Sequence, residues 1–508
     1  DKMKPDYNNG SVKPLSSLVR NLKVRRTLHF ANLPICSVTQ NSRQAVRNTL
    51  FVAIKGTRAD GHDFIPHALK RGASAVVCED LPDPLPPCPV MQVADSRYAL
   101  SALADACNSH PSRRLEVMGI TGTDGKTSTA TMLASILEGK GFDVGTLGTV
   151  SYRLGARCLD SGLTTPNAVS LHQMLREMVD AELSHACMEV SSHALAMHRT
   201  AHVRFDVAVL TNITEDHLDF HETREGYIRA KQMLFEQLEP DSIAVLNADS
   251  PVCSRFSDAT PATVLTYGRS NWADVTGDIL SMDMHGMRIA IRTPFENYEV
   301  STPLIGDYNC ENVLAAATAA FAAGCSAEEV RGALNEFKGV PGRLEKVTVP
   351  GRDDLPLVVV DYAHTPNALG KVLSTLRPLV QGDLVCVFGC GGDRETQKRP
   401  TMGRAASRLA DYTVVTSDNS RSEKTEDIME DILEGIEGPA SSYTLEPDRR
   451  EAIRKGIEKA ARPHSLVAIC GKGDESVQEL SDGKFPFDDR QVARKILENM
   501  PRRGKQIA

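Results

Sequence analysis

The chain has 508 residues, which at about 150 residues per domain predicts three domains, each large enough to bury its own core. Hydrophobic residues make up 41% of the chain and charged residues 24%, proportions that exclude a disordered, collagen-like or coiled-coil protein. The 58 lysines and arginines are outnumbered by 66 aspartates and glutamates, for a formal net charge of -8, so nucleic acid is not expected as the main partner.

Cysteine usage and hydropathy indicate the compartment. The 12 cysteines are scattered without any CxxC spacing and several lie in apolar runs, so they are expected to be reduced core residues. The sequence has no stretch of about 18 apolar residues, and residues 1–5 lack the apolar core of a secretory signal. We therefore expect a cytoplasmic protein without membrane insertion. The sequence does not indicate an oligomeric state, so a monomer is assumed by default.

Short runs rich in Val, Ile and Leu recur along the chain, and each ends abruptly in small or polar residues before a helical pattern. Continuous apolar strands separated by helices are typical of parallel sheets buried on both faces, so an α/β fold is predicted. Ligands of such sheets bind beyond the carboxyl ends of the strands. The runs occupy residues 115–121, 185–190, 206–212, 243–247, 357–361, 384–389 and 466–471.

Two breaks in this pattern predict domain boundaries. Residues 108–112 (NSHPS) precede the first strong α/β strand, and residues 339–343 (GVPGR) form a Pro/Gly turn. The sequence therefore predicts domains at residues 1–113, 114–344 and 345–508.

Residues 121–127 (TGTDGKT) follow an apolar strand and open a helix that runs to about residue 139. Glycines allow backbone N–H groups to approach phosphate oxygens, a lysine can bridge the terminal phosphates, and a threonine hydroxyl can bind Mg²⁺. The ordinary alternative is a glycine-rich helix cap, and Ile120 departs from the usual Walker spacing. The predicted nucleotide-binding residues are Gly122, Thr123, Asp124, Gly125, Lys126, Thr127 and Ser128.

Two later segments contain further candidate ligands. Glu189 ends a buried strand, where a carboxylate is well placed to hold the Mg²⁺ that accompanies a nucleotide. Residues 211–221 (TNITEDHLDFH) contain His217 and have the His/Asp density of a metal or phosphate site. The alternative for this second segment is a helix N-terminus capped by Thr214.

Lys231 lies on the apolar face of a predicted helix over residues 227–238. A snorkelling or salt-bridged lysine would account for this position. The functional alternative is an amine whose pKa is lowered by desolvation, so that it can be carbamylated and bind a second Mg²⁺.

The remaining motifs lie later in the chain, and four of them follow predicted strands, where a ligand site of the third domain is expected. They occupy residues 306–312, 341–345, 361–366, 388–394, 418–421 and 471–475.

The chain resembles the ATP-dependent Mur ligases, and most closely the UDP-N-acetylmuramoyl-tripeptide synthetases among them, over roughly residues 36–495. The resemblance is carried by motifs from all three predicted domains. They are Ser42-Arg43, LFVAIKG (50–56), ADG (59–61), TGTDGKT, LTTP (163–166), EVSSHAL, TNITEDHLDFH, DYAHTP, VFGCGGDR with KRPTM, and FDDR (487–490).

The resemblance implies a UDP-sugar-binding N-terminal domain, a central P-loop ATPase domain and a Rossmann-like C-terminal domain that receives an amino acid. It implies a ligase of peptidoglycan precursor synthesis that uses ATP and Mg²⁺ to join UDP-N-acetylmuramoyl-L-alanyl-D-glutamate to a diamino acid. The carboxylate would first become an acyl phosphate, which the amine then attacks.

The resemblance also implies the site residues. Catalysis and Mg²⁺ binding are assigned to Lys126, Thr127, Glu189, His217 and carbamylated Lys231. Further nucleotide contacts are assigned to Asn309, Arg343 and Asp361, and contacts to the UDP-dipeptide to Ser42, Thr164, Thr165, Ser191 and Arg199. The amino acid is assigned to Arg394, Asp418, Asn419, Ser420, Arg421, Gly471 and Glu475.

Some positions depart from the family pattern. Asp124 replaces the usual Asn, Met197 a common Gln, and Asp474 the usual His. Ser420 replaces the proline usual in diaminopimelate enzymes, while Arg421, matched to a distal carboxylate, is kept.

The expected amino acid is meso-diaminopimelate, with L-lysine, ornithine and lanthionine as alternatives. More remote alternatives are a folylpolyglutamate synthetase, which would not need the Ser42 region, and a non-catalytic nucleotide-binding regulator.

Overall fold

The structure of the protein is a computed structural model that describes residues 12–56, 59–214, 218–352, 354–460 and 464–501. The chain divides into two compact units. The described residues of the first unit lie within Asp1–Gly277, Ile291–Asn297 and Glu311–Ala333, and those of the second within Asp278–Ala290, Tyr298–Cys310 and Leu334–Ala508. Within these described ranges, every helix is too short or too polar to cross a membrane.

The first unit begins with a small sheet. Its elements are β1 (Lys13–Pro14), α1 (Leu15–Leu18), β2 (Val24–Leu28), β3 (Pro34–Ile35), β4 (Ser37–Thr39), β5 (Thr49–Val52), α2 (Ile65–Arg71), β6 (Ala73–Cys78), β7 (Val90–Val93) and α3 (Ser96–Cys107). The sheet order is β2-β7-β6-β5-β4, in which only β2 is antiparallel to its neighbour. Helix α3 begins after Asp95, whose carboxylate accepts hydrogen bonds from the amides of Arg97 and Tyr98.

A larger sheet follows in the same unit. Its strands and helices are β8 (Glu116–Thr121), α4 (Lys126–Gly139), β9 (Val144–Leu147), β10 (Ser151–Leu154), β11 (Arg157–Asp160), α5 (Ala168–Asp180), β12 (His185–Glu189), α6 (Ser192–Ala196), β13 (Val207–Leu210), α7 (Leu218–His221), α8 (Arg224–Glu236), β14 (Ile243–Asn247), α9 (Cys253–Ala259) and β15 (Thr263–Gly268). The order is β11-β10-β9-β12-β8-β13-β14-β15, and the strands from β9 to β15 in this order are parallel.

This strand order determines which loops meet. Strand β8 lies between β12 and β13, and parallel neighbours place their carboxyl ends at one edge of the sheet. The loops that begin at Gly122, Val190 and Thr211 therefore lie side by side. Both faces of the strands are buried, as in β12, where all five residues are inaccessible to solvent or nearly so.

The chain then continues through three strands and two helices. They are β16 (Val275–Asp283), β17 (Gly286–Arg292), β18 (Asn297–Thr302), α10 (Asp307–Ala322) and α11 (Ala327–Glu336).

The second unit contains a six-stranded sheet. Its elements are β19 (Glu345–Val347), β20 (Leu357–Asp361), α12 (Pro366–Leu376), β21 (Leu384–Phe388), α13 (Lys398–Leu409), β22 (Tyr412–Val415), α14 (Thr425–Leu433), β23 (Tyr443–Leu445), α15 (Arg449–Lys459), β24 (Leu466–Cys470), β25 (Val477–Leu480), β26 (Gly483–Pro486) and α16 (Asp489–Asn499). The order is β19-β20-β24-β21-β22-β23, parallel except for β19. Strands β25 and β26 form a separate antiparallel hairpin.

The predicted α/β fold with parallel sheets is confirmed. All seven apolar runs form strands, namely β8, β12, β13, β14, β20, β21 and β24, and the helix predicted after the glycine-rich loop is α4. The predicted domain boundaries near residues 113 and 344 stay predictions.

Candidate active site

The glycine-rich loop between β8 and α4 requires glycine at two positions. Gly122 and Gly125 have φ angles of +152° and +82°, which L side chains rarely adopt. A Cβ atom on Gly122 would lie 1.8 Å from the Thr211 hydroxyl oxygen, and one on Gly125 would lie 2.1 Å from Asn312 Oδ1. The loop backbone is thus packed directly against its neighbours.

The segment after β13 holds this loop in place. The amide of Thr123 donates to the Asn212 carbonyl (2.8 Å) and the amide of Asp124 to Asn212 Oδ1 (3.0 Å). The Thr211 hydroxyl donates to the Asp124 carbonyl (2.6 Å). These bonds come from a neighbouring strand, so the loop is organised before any ligand binds.

Lys126 is the first residue of α4, and its side chain folds back over the loop. Its Nζ donates to the carbonyls of Gly122 (3.0 Å) and Thr123 (2.8 Å). The helix N-terminus and this ammonium concentrate positive charge at one point, an arrangement suited to phosphate oxygens.

Thr127 and Glu189 meet beside the loop. The Thr127 hydroxyl donates to Glu189 Oε2 (2.9 Å), and Glu189 is 2% exposed. Glu189 also accepts from the amide (2.7 Å) and the hydroxyl (3.2 Å) of Thr149. Thr149 is not among the residues predicted from the sequence, because a polar residue two positions after a strand is a common feature.

These oxygens fit Mg²⁺, which typically binds through one or two carboxylates plus substrate phosphates and water. Among the described residues, no group of three or more His, Cys, Asp or Glu side chains is arranged to hold a metal ion. The groups beside the loop that would hold such an ion are the hydroxyl of Thr127 and the carboxylate of Glu189.

Lys231 is buried in α8, with 1% of its surface exposed. Its Nζ donates to the Gly122 carbonyl (2.7 Å) and lies 4.6 Å from the centre of the Tyr227 ring. Tyr227 in turn shares a hydrogen bond with the Thr123 hydroxyl (2.9 Å). Helix α8 therefore brings Lys231 to the phosphate loop, while its carbamylation stays a prediction.

His217 lies outside the described residues. Among the described residues, the ring of His193 lies 4.2 Å from the Phe220 ring and 5.5 Å from the His221 ring. The His221 ring is 5.3 Å from that of Tyr227, so an aromatic cluster connects α6 and α7 to α8.

Four of the five residues predicted to contact the UDP-dipeptide form one hydrogen-bond network. The Thr165 hydroxyl donates to the Glu189 carbonyl (2.9 Å) and accepts from the Ser191 amide (3.0 Å), and Arg199 donates to the Thr165 carbonyl (2.9 Å). The Thr164 hydroxyl lies 3.2 Å from the Thr149 hydroxyl.

Ser42 is the fifth residue of this set, and Arg199 also has a shifted pKa. Ser42 lies near the small sheet, where its hydroxyl is 3.0 Å from His67 Nδ1. Burial lowers the pKa of the Arg199 guanidinium, so an anionic group bound there would offset part of the desolvation.

The other nucleotide candidates lie in the second unit. Asp361 ends β20 and accepts from the amides of Leu344 and Ala363, each at 2.8 Å; burial raises the pKa of its carboxyl. The Arg343 guanidinium lies 4.4 Å from the centre of the Tyr362 ring and 3.6 Å from Asp474 Oδ1. Asn309 Nδ2 donates to the Ile305 carbonyl (2.8 Å).

Four of the amino-acid candidates meet at the carboxyl ends of β22 and β24. Asn419 Nδ2 donates to Glu475 Oε2 (2.8 Å), and the Asn419 amide donates to Asp418 Oδ1 (2.6 Å). The amide of Gly471 donates to the Asp361 carbonyl (3.1 Å). Lys472, which was not predicted from the sequence, joins them: its Nζ donates to Glu475 Oε2 (2.9 Å).

The arginine candidates lie around the neighbouring loop. Arg421 NH1 donates to the Gly392 carbonyl (2.7 Å), and its Nε lies 3.7 Å from Glu479 Oε2 on β25. Ser420 is buried. Arg394 is exposed, and its guanidinium donates to the Asp393 carbonyl (3.4 Å).

Models of known protein families match most of the chain. Three family models match: "Mur ligase family, catalytic domain" at residues 34–107, "Mur ligase middle domain" at 120–320 and "Mur ligase, glutamate ligase domain" at 342–473.

Curated relatives and a solved structure share most of their length with the chain. The UDP-N-acetylmuramoyl-L-alanyl-D-glutamate–2,6-diaminopimelate ligase of Geobacillus kaustophilus (strain HTA426) is 41% identical over 92% of this chain and 95% of its own. The ligase of the same name from Thermosynechococcus vestitus (strain NIES-2133 / IAM M-273 / BP-1) is 42% identical over 92% and 94%. A solved structure of a ligase with this name has a TM-score of 0.70 and 29% identity, covering 96% of this chain and 99% of that one. The chain belongs to the Mur ligase family of ATP-dependent ligases and has that family's three-domain architecture.

Proposed function

We propose that this ligase joins meso-diaminopimelate to UDP-N-acetylmuramoyl-L-alanyl-D-glutamate during peptidoglycan precursor synthesis. The observation that carries the proposal is the 41% identity, over 92% of the chain, to a ligase named for these substrates. All 12 cysteines are free thiols, which supports a reducing, cytoplasmic location.

The phosphoryl transfer proposed at the phosphate loop follows from the charged groups around that loop. When bound, ATP would transfer its γ-phosphoryl group to the glutamate carboxylate, giving an acyl phosphate and ADP, and Mg²⁺ would neutralise phosphate charge. Lys126 and the N-terminus of α4 would bind the phosphates and neutralise their charge. Thr127 and Glu189 would hold Mg²⁺, since their oxygens already lie 2.9 Å apart.

A second Mg²⁺ is assigned to carbamylated Lys231 and His217. The support for Lys231 is its burial next to the phosphate loop, with Nζ 2.7 Å from the Gly122 carbonyl oxygen. A carbamate keeps one N–H for this hydrogen bond, and its two oxygens would be available to bind a metal ion.

The remaining contacts are proposed by position. The nucleotide would be bound by loop residues 122–128 with Asn309, Arg343 and Asp361, and the UDP-dipeptide by Ser42, Thr164, Thr165, Ser191 and Arg199. We propose domain boundaries at residues 1–113 for the UDP-sugar-binding domain, 114–344 for the ATPase domain and 345–508 for the amino-acid-binding domain.

Meso-diaminopimelate is favoured over lysine and ornithine by Arg421. Its planar guanidinium is suited to two hydrogen bonds with the distal carboxylate, a group that lysine and ornithine lack. Glu475 would bind the distal ammonium, and Arg394, Asp418, Asn419, Ser420 and Gly471 would surround the rest of the molecule.

Phosphate release tests the proposal. ATP turnover should require both the UDP-dipeptide and the amino acid, and an amino-acid panel should give meso-diaminopimelate the highest kcat/KM. Lys126→Ala should lower turnover by about 100-fold or more, because phosphate charge is then unneutralised. Lys140→Ala, at the other end of α4, is the control, since Lys140 contacts the Gly324 carbonyl and Glu329. Turnover by the parent without an amino acid, or near-normal turnover of Lys126→Ala, would contradict the proposal.

A further inference from the structure

Lys472 lies in the segment after β24, in contact with two residues proposed to bind the amino acid, and is fully buried. A buried ammonium is stable only when its three N–H donors and its charge are matched. Its Nζ donates to Asn419 Oδ1 (3.2 Å), Glu475 Oε2 (2.9 Å) and the Val477 carbonyl (2.7 Å). All three donors are therefore used, and the charge faces the Glu475 carboxylate.

The first consequence concerns the amide of Asn419. Its Oδ1 accepts from Lys472 and also from the Glu479 amide (2.9 Å). Two donors on one side fix the oxygen there, so Nδ2 must point to the opposite side, where it donates to Glu475 Oε2 (2.8 Å). Without Lys472, one of the two groups that fix this orientation would be lost.

The second consequence concerns Glu475. Its Oε2 accepts from both Lys472 and Asn419, while 35% of its side chain remains exposed. One carboxylate oxygen is thus held by the protein, and the other is available to a cationic group of a ligand.

We propose that Lys472 is a positioning residue for the amino-acid substrate, acting through Asn419 and Glu475 rather than by touching the substrate. It orients the Asn419 amide and holds the Glu475 carboxylate towards the substrate's distal ammonium. This inference rests on the proposed function, since it takes the substrate to be a diamino acid.

Lys472→Met tests the proposal, because methionine keeps most of the side-chain volume and removes the charge. The KM for meso-diaminopimelate should rise about tenfold or more, as expected when a buried charged hydrogen-bond partner is removed. The KM values for ATP and the UDP-dipeptide should stay within about twofold, a difference below 0.5 kcal/mol. Lys484→Met on β26 is the matched control, since Lys484 is 68% exposed and lies 3.5 Å from Glu479.

A double-mutant cycle with Glu475→Gln separates positioning from a general effect on folding. If Lys472 acts through Glu475, Lys472→Met should raise the KM for the amino acid much less in the Glu475→Gln background than in the parent. The double variant also removes the unpaired carboxylate, so it provides a folded protein if the single variant is unstable.

Three results would overturn the proposal: an unchanged amino-acid KM in folded Lys472→Met, an equal rise in all three KM values, or effects that simply multiply in the cycle. A parent that turns over ATP with none of the amino acids would instead contradict the proposed function. An active parent with an unaffected Lys472→Met contradicts the role of Lys472 alone.

Discussion

Arg421 determines the expected choice of amino acid at the scale of a single residue. Its guanidinium is held by the Gly392 carbonyl and lies near Glu479, and only 25% of the side chain is exposed. With lysine as substrate, this cation would lack the substrate carboxylate and keep only the Glu479 carboxylate at 3.7 Å. Loss of such a charged pair costs about 2 to 5 kcal/mol, or tens to thousands of fold in specificity.

Arg421→Ala should therefore remove most of the preference for meso-diaminopimelate over lysine. Specificity constants for both amino acids, in the parent and the variant, measure this. Ser420 loosens the loop relative to proline, so the parent's preference should lie towards the lower part of that range. Arg404→Ala is the control, because Arg404 is half exposed and pairs with Glu437. Equal use of both amino acids by the parent, or an unchanged ratio in Arg421→Ala, would refute the assignment.

Lys231 gives a second prediction at this scale. Carbamylation needs a neutral amine and dissolved carbon dioxide, so activity should fall on acidification or removal of carbon dioxide and recover with bicarbonate. After incubation with ¹³C-bicarbonate, the active enzyme should show a carbamate NMR signal.

The same signal should be absent from Lys231→Arg, because arginine cannot form the carbamate. An active enzyme without the signal, or a signal that persists in the variant, would exclude carbamylation of Lys231.

At the scale of elements, the site depends on three neighbouring parallel strands. Strands β12 and β13 flank β8, so Glu189 and Thr211 reach the phosphate loop from either side. Helix α8 contributes Tyr227 and Lys231 one turn apart, and both contact the loop. A small shift of the loop backbone would disturb all of these contacts together.

Gly122→Ala tests this dependence. A Cβ atom would collide with the Thr211 hydroxyl and strain a φ angle of +152°, so the loop backbone must shift relative to Thr211 and Asn212. We expect ATP turnover to fall by about tenfold or more, together with a loss of stability of about 1–3 kcal/mol.

Gly332→Ala in α11 is the matched control, because a Cβ atom there meets nothing within 4 Å. This change should leave turnover intact and raise stability by up to about 1 kcal/mol, since alanine favours the helix. Full ATP turnover of Gly122→Ala would show that the loop backbone tolerates displacement.

At the scale of the whole molecule, a buried histidine predicts how stability depends on pH. His172 on α5 is fully buried, and burial lowers its pKa to about 3, with His202 and His110 contributing. Asp105 Oδ1 lies 3.5 Å from its Nδ1, which does not outweigh burial. The folded protein therefore keeps this imidazole neutral at pH values where the unfolded chain binds a proton.

Stability should consequently fall as the pH drops below the ordinary histidine pKa of 6.5, by about 2 kcal/mol between pH 6.5 and 5. Burial raises the pKa of the Asp105 carboxyl, so this carboxyl binds a proton at a higher pH in the folded state than in the unfolded chain. As the pH falls, Asp105 therefore favours the folded state, opposite to the effect of His172. The quantity to measure is thus the difference in the free energy of unfolding between the parent and His172→Gln, obtained from urea unfolding at several pH values. Parallel curves for the two proteins would contradict the prediction.

Local patterns in the sequence were sufficient to predict the strands, the phosphate loop and the burial of Lys231. Each of these depends on residues close together in the chain: a continuous apolar run, a contiguous TGTDGKT segment, or helical spacing around one lysine. The physical causes, namely burial of both sheet faces, positive φ angles and a helix N-terminus, act over a few residues.

The partners of the site residues were decided only by the tertiary structure. Thr149 binds Glu189 across 40 residues, Lys472 binds Asn419 across 53, and Glu479 binds Asn419 across 60. Nothing in the local sequence distinguishes these residues, because a polar side chain after a strand is common and gains its role from the strand beside it. The sequence by itself determined which elements form and which loop binds phosphate; the order of strands in the sheets decided which side chains surround each ligand, since that order brings distant carboxyl ends together.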